Sequence, residues 1–156
     1  MIPERGPGVI LLADDDPEDR MLAEEALVGN PFAKDVRTVV DGEELLDYLY
    51  RRGRFNAENA PRPGLILLDL NMPKIDGREA LAVIKADRFL RDIPIVVMTT
   101  STAEEDIERS YFLGANSFVT KPASLESLNF FTQSICEYWM GLVALPPPER
   151  PLRTEN

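Results

Sequence analysis

The sequence contains no histidine. That removes Ser-His-Asp and Cys-His catalysis, and with them the common zinc-hydrolase centres, whose ligands are largely imidazoles. Cys136 is the single cysteine, so neither an internal disulfide nor a cysteine-built metal site can form. Long apolar runs are missing as well. No stretch reaches the length of a membrane-spanning helix, and the N-terminus lacks the apolar core of a signal peptide. A cytoplasmic location is expected. Positive charge is scarce: 17 Lys and Arg stand against 27 Asp and Glu, a formal net charge of −10. Binding a phosphate backbone calls for a basic face, so neither nucleic acid nor membrane is an expected partner.

What is present is an ordinary globular composition, 44% hydrophobic and 28% charged. A chain of 156 residues has the size of one domain, able to bury about two-thirds of its unfolded surface.

The chemistry collects at the ends of apolar runs. Leu65 to Leu68 is uninterrupted and closes on Asp69, followed by Leu70-Asn71-Met72-Pro73. Burying that carboxylate alone would cost several kcal/mol, so it needs partners. Asp14-Asp15-Asp16 follows Val9 to Ala13, Thr99-Thr100-Ser101 follows Ile93 to Met98, and Lys121-Pro122 follows Ser117 to Thr120. If these runs are parallel strands of one sheet, their C-terminal ends gather carboxylates, a hydroxyl and an ammonium into a pocket for a divalent cation and a phosphoryl group.

Between the runs lie helical patterns. Pro17 to Val28 reads as a helix with Asp16 as N-cap, Pro17 at its first position, and Glu18 and Asp19 favoured at its N-terminus. Asp35 to Val40 reads as a second strand. Glu43 to Arg52 is amphipathic, with Leu45, Leu46, Leu49 and Tyr50 on its core face. Gly53 to Gly64 is a loop broken by Pro61 and Pro63. Helices are expected over Gly77 to Phe89, Ala103 to Leu113, and Ser124 to Leu142 with Ser124 as N-cap. The predicted fold is α/β: a doubly wound, five-stranded parallel sheet with five alternating helices, flavodoxin-like, whose ligand site lies beyond the carboxyl ends of the strands. Residues 1–8 read as an N-terminal extension and 9–145 as the domain. Residues 146–156 read as a proline-rich, charged tail too short for an output domain.

Asp14/Asp15, Asp69, Thr99 and Lys121-Pro122, in this order and at these strand ends, resemble the receiver domain of two-component response regulators over roughly Val9 to Leu142. The long loop before the Asp69 strand and the run Thr99 to Ile107 resemble the single-domain regulators that partner phytochrome-type histidine kinases. The resemblance implies that Asp69 accepts a phosphoryl group from phosphohistidine in a Mg2+-dependent reaction. The protein would then be a phosphoacceptor and not an enzyme, catalysing only its own phosphorylation and dephosphorylation. Asp14, Asp15, Asp69 and the Asn71 backbone carbonyl would hold the metal, an oxygen-only set that suits magnesium. Lys121 would face a phosphoryl oxygen, and Thr99 would donate its hydroxyl to the same group. Thr99 and Phe118 would form the output switch, and the bond preceding Pro122 is a cis candidate. A histidine kinase would dock near Arg20 and Met21. With no histidine of its own, the chain cannot be the phosphodonor in a relay.

Each feature also has a plainer reading. A triple Asp can be a solvated turn and cap, Lys-Pro a turn, Thr99 a polar loop residue, and Phe118 a half-buried strand aromatic. Thr100 stands where the family mostly carries a small apolar residue, and Phe118 lacks the phenolic hydroxyl of many relatives. Two rival classes remain. A haloacid-dehalogenase-like phosphatase would need an Asp two residues after its nucleophile, where Asn71 stands, and its nucleophile would end the first strand. A pseudo-receiver would lack a site residue, and none is missing.

The last helix is the expected interaction surface. Leu128, Phe131, Ile135, Trp139 and Leu142 form a predicted core stripe. Phe130 and Tyr138 are left on another face, available to a homodimer.

Overall fold

A computed structural model describes residues 8–146. Gly8 and Pro146 apart, the expected N-terminal extension (1–8) and tail (146–156) lie outside the described residues. Five strands, β1 (Val9–Ala13), β2 (Asp35–Val39), β3 (Leu65–Leu68), β4 (Ile95–Thr99) and β5 (Ser117–Thr120), form one parallel sheet in the order β2-β1-β3-β4-β5. The three central strands are apolar at almost every position and buried throughout, as a sheet covered on both faces requires. Edge strands β2 and β5 are mostly half-buried.

Between and after the strands run α1 (Pro17–Val28), α2 (Gly42–Tyr50), α3 (Gly77–Ala86), α4 (Glu104–Phe112) and α5 (Leu125–Cys136). Side chains alternate across the sheet, so β1 sends Ile10 and Leu12 to one face and Leu11 and Ala13 to the other. The first face packs on Ala23 and Leu27 of α1 and Cys136 of α5. The second packs on Leu45 and Leu46 of α2 and Leu81 and Ile84 of α3. Each fully buried Leu or Ile is worth roughly 1.5–3 kcal/mol, so the central strands are the most strongly held part of the fold.

Local signals start most helices. Asp16 accepts hydrogen bonds from the Glu18 and Asp19 amides, Asp41 from Glu44, Asp76 from Arg78 and Ser124 from Ser127. Helix α4 is the exception, since Ala103 at its N-cap has no side-chain acceptor to offer.

Several boundaries and faces differ from expectation. Helix α3 stops at Ala86, because the Asp87 carboxylate turns the chain by accepting from the Phe89 and Leu90 amides. On α2, Tyr48 is buried and Tyr50 is 39% exposed. The Tyr48 hydroxyl makes burial tolerable by donating to the Pro61 carbonyl at 2.7 Å, whereas Tyr50 reaches outward to Asp87. The core stripe of α5 runs through Leu128, Thr132 and Cys136, while Phe131 is 36% and Leu142 75% exposed. Thr132 can be buried because its hydroxyl donates to the Leu128 carbonyl one turn back. After Cys136 the helix widens into a π-helical segment, Glu137–Leu142, which changes the angular step and carries Leu142 off the stripe. The Lys121–Pro122 bond is trans, the intrinsically preferred form, so the expected cis bond is not adopted. Among the described residues, no helix is long and apolar enough to cross a membrane.

Candidate functional site

The strand order reverses between β1 and β3, and there the crevice opens. Pairing of Ala13 with Leu68 sets Asp14 and Asp69, the next residue of each chain segment, side by side. Backbone hydrogen bonds continue past the strands and hold both: the Asp14 amide donates to Val39 O at 3.2 Å, and the Asp69 amide to Ala13 O at 3.0 Å. On the far side Thr99 pairs with Thr120, and the Lys121 amide donates to Thr99 O at 2.6 Å. All four expected strand ends therefore meet at one edge.

Asp14 and Asp69 are buried, and Asp15 is exposed. The Lys121 Nζ lies 2.7 Å from Asp14 Oδ2, 3.1 Å from Asp19 Oδ2 and 3.2 Å from Asp69 Oδ2. Apolar side chains, among them Leu12, Ala23, Leu67, Met98 and Leu128, line the crevice around this ammonium. Burial raises the Asp14 carboxyl above its ordinary value, and the Lys121 hydrogen bond and charge offset only part of that rise. For Lys121 itself, burial works to lower the pKa, but Asp14, Asp69 and Asp19 outweigh it and the ammonium is held firmly charged.

Asp19 is a member of this cluster that the sequence pattern assigned only to the helix N-terminus. The signal was its place on the first turn of α1, which starts directly after Asp14 to Asp16 and so overhangs the crevice. Arg20, expected near a docking rim, donates from Nη1 to the Asp14 carbonyl at 2.8 Å, and Met21 is 52% exposed. Asp16 caps α1, and its amide donates to Asp14 Oδ1, which helps orient that carboxylate.

Asp14, Asp15 and Asp69 can each place one oxygen so that all three lie within 4.8 Å of one another. Three carboxylates without nitrogen or sulfur suit a hard divalent cation. The Asn71 amide donates to Asp69 Oδ1 at 3.2 Å, which ties the loop after β3 back to that carboxylate.

Thr99 is fully buried, and its Oγ1 has no hydrogen-bond partner among the described residues. An unpaired buried hydroxyl costs about 1–3 kcal/mol, a cost that an oxygen-rich ligand at the strand ends would relieve. Thr100 is exposed beside it. Phe118 is half-buried, packed against the core on the α3 side of the sheet, and its amide donates to the Tyr111 hydroxyl at 3.1 Å. Phe130 and Tyr138 are 68% and 49% exposed on the C-terminal helical segment.

A five-stranded doubly wound sheet with an acidic crevice, a buried lysine and a buried threonine at its strand ends defines a phosphoacceptor class of signalling domain. The response regulator receiver domain family matches residues 10–130, and the chain belongs to that family. It is 43% identical to response regulator Rcp1 of Synechocystis over 140 residues, 90% of this chain and 94% of that one. It is 40% identical to a probable methanogenesis regulatory protein, FilR2, of Methanothrix harundinacea, over 91% of this chain and 90% of that one. The crystal structure of Mn(2+)-bound Rcp1 superposes with a TM-score of 0.84, over 90% of this chain and 99% of that one. The phosphorylated cyanobacterial phytochrome response regulator RcpA gives 0.84 at 45% identity, over 89% and 98% of the two chains. Receiver domains bind a divalent metal at an acidic pocket, and the Asp14, Asp15, Asp69 cluster has that character.

Proposed function

We propose that this chain works as a single-domain response regulator that takes a phosphoryl group from a histidine kinase onto Asp69. The observation that carries the reading is the convergence of Asp14, Asp69 and Lys121 within hydrogen-bonding distance at the β1/β3 switch point. An Asp69 carboxylate oxygen attacks phosphorus, the bond from phosphorus to the histidine nitrogen breaks, and its electron pair stays on that nitrogen. The product is an acyl phosphate. Attack by an anion on an anionic group is opposed by charge repulsion. Asp14, Asp15, Asp69 and the Asn71 carbonyl would hold Mg2+, which would supply positive charge to offset that repulsion. Lys121 supplies a second compact positive charge, and Thr99 a hydroxyl donor that has no partner in the resting structure. On this reading the chain promotes only its own phosphorylation and dephosphorylation.

The upstream donor we favour is a phytochrome-type histidine kinase. The likeness to RcpA, a phytochrome response regulator by its description, supports that choice. A domain spanning 9–145 would signal by changing conformation and assembly, with Thr99 and Phe118 as the moving pair. Phe130 and Tyr138 would be covered in a homodimer built on the C-terminal helix; their exposure supports this role. The net charge of −10 favours protein partners over nucleic acid, and a cytoplasmic location goes with this reading.

The test is intact mass after incubation with acetyl phosphate, with and without Mg2+, for the wild type and Asp69→Asn. A single phosphoryl adduct that requires both the metal and Asp69 is the expected result. An adduct that persists in Asp69→Asn overturns the assignment. Rapid donor consumption without an adduct would point to the phosphatase reading instead.

A further inference from the structure

The loop that follows Thr99 is tied down by a chain of polar contacts that begins beside Asp69. Gly77 N–H donates to the Leu70 carbonyl at 2.8 Å, which anchors the start of α3 against the residue following Asp69. Asp76 caps that helix and accepts from Arg78 Nη1 at 3.1 Å. The other edge of the Arg78 guanidinium donates from Nε and Nη2 to Asp106 Oδ1, at 2.9 and 2.8 Å. The second Asp106 oxygen, Oδ2, accepts from the Ser101 hydroxyl at 2.6 Å. Ser101 Oγ in turn accepts from the Ala103 amide, and the Ser101 carbonyl accepts from Thr120 Oγ1 at 3.3 Å. Arg78 and Asp106 are each little more than one-fifth exposed, so the pair is partly shielded from water.

Two facts make this chain more than surface decoration. Helix α4 has no capping side chain at Ala103 and buries only Ser110, whose hydroxyl has no partner among the described residues. Packing therefore holds α4 weakly, and the Arg78–Asp106–Ser101 contacts supply much of what orients its first turn. In addition, Ser101 lies two residues beyond Thr99, whose hydroxyl lacks a partner in this arrangement. The loop these contacts hold therefore continues directly from the strand end that carries Thr99.

We propose that Arg78, Asp106 and Ser101 form a clamp that holds the loop after β4 in its resting position. The clamp thereby sets how readily the Asp69 site accepts a phosphoryl group. The inference rests on the phosphoacceptor reading of Asp69. Arg78, Asp106 and Ser101 are positioning residues; none touches the crevice. Two arrangements of the loop that differ in affinity for a phosphoryl group must be coupled to the site reciprocally, so weakening the resting arrangement favours the phosphorylated one.

The experiment uses the full chain with acetyl phosphate and Mg2+, and compares wild type, Arg78→Ala and Asp106→Asn. The readouts are the rate of adduct formation by intact mass and amide hydrogen exchange over residues 100–107. Both single variants should phosphorylate about five-fold faster or more, the lower end of ordinary coupling strengths, and exchange faster in that segment. Faster exchange with an unchanged phosphorylation rate in either folded single variant would falsify the clamp as a control element, and so would slower phosphorylation. Absence of any adduct on wild type is a separate outcome: it overturns the Asp69 reading and the clamp with it.

Discussion

The Lys121 ammonium lies 2.7 Å from Asp14 Oδ2 and 3.2 Å from Asp69 Oδ2. The lysine thus occupies, in the resting protein, the space where charge balance is needed for two buried carboxylates. A divalent cation binding to the same carboxylates meets a fixed positive charge, and an arriving phosphoryl group offers that charge a new partner. Competition between lysine and metal for Asp14 and Asp69 follows from the geometry.

Lys121→Ala should therefore separate metal binding from signalling. Unit charges about 4 Å apart interact by about 4 kcal/mol at an effective dielectric of about 20, and even a third of that is tenfold in affinity. Mg2+ or Mn2+ should bind about tenfold more tightly to the variant in a calorimetric titration. Phosphoryl uptake should be poor, and any phosphorylated fraction should fail to change oligomeric state. Weaker metal binding in the variant would contradict the competition.

Gly77→Ala tests how closely α3 is pressed against the phosphoacceptor strand. A Cβ at Gly77 would run into the Asp69 carbonyl and lie 2.6 Å from Leu70 Cα, both backbone atoms that cannot rotate away. Overpacking of this kind costs typically about 1–3 kcal/mol, which urea denaturation should show as a lower midpoint. Displacement of Asp69 should also slow adduct formation.

Cys136 gives a pH-dependent signature. Burial on the α1/α5 face, with a smaller contribution from Glu137, pushes its thiol up to about 11. The folded state thus holds the proton more tightly than the unfolded chain. The associated stability is complete below about pH 9 and is lost as pH rises towards about 11. At about pH 8 the thiol should stay unreactive to a thiol-exchange reagent until the protein is unfolded, because the thiolate is the nucleophile. Prompt stoichiometric labelling of native protein would contradict its burial.

Polar replacement of Phe130 and Tyr138 should shift the proposed dimer towards monomer in sedimentation velocity. On one chain Phe130 is 68% and Tyr138 49% exposed, so the monomer's thermal stability should change little. If the sedimentation profile of the double variant matches wild type, the dimer interface lies elsewhere.

Much of this protein was legible in one dimension. Central strands that are buried on both faces must be apolar without interruption, so β1, β3 and β4 announced themselves, and the polar residue ending each run marked the functional edge. Asp16, Pro17 and Ser124 marked helix starts through purely local hydrogen-bonding needs. The face of α5 was harder to read. Of the expected stripe, Leu128 is buried and Ile135 and Trp139 pack against the core, whereas Phe131 and Leu142 are exposed. The true face includes a threonine that satisfies its own hydroxyl and a cysteine that behaves as a small hydrophobe. Helical spacing identifies ridges, and only the shape of the opposing α1 and sheet surface chooses between adjacent ones.

The sequence alone determined the alternating order of strands and helices, and with it the four strand ends carrying Asp14, Asp69, Thr99 and Lys121. Those features depend on local periodicity and on the cost of burying charge. The tertiary structure alone decided that Lys121 spends its ammonium on Asp14, Asp19 and Asp69 together. It likewise decided that Arg78 reaches across from α3 to Asp106 on α4. These contacts join residues 28 to 107 positions apart, and their partners are set by strand order and helix placement, which no local pattern encodes.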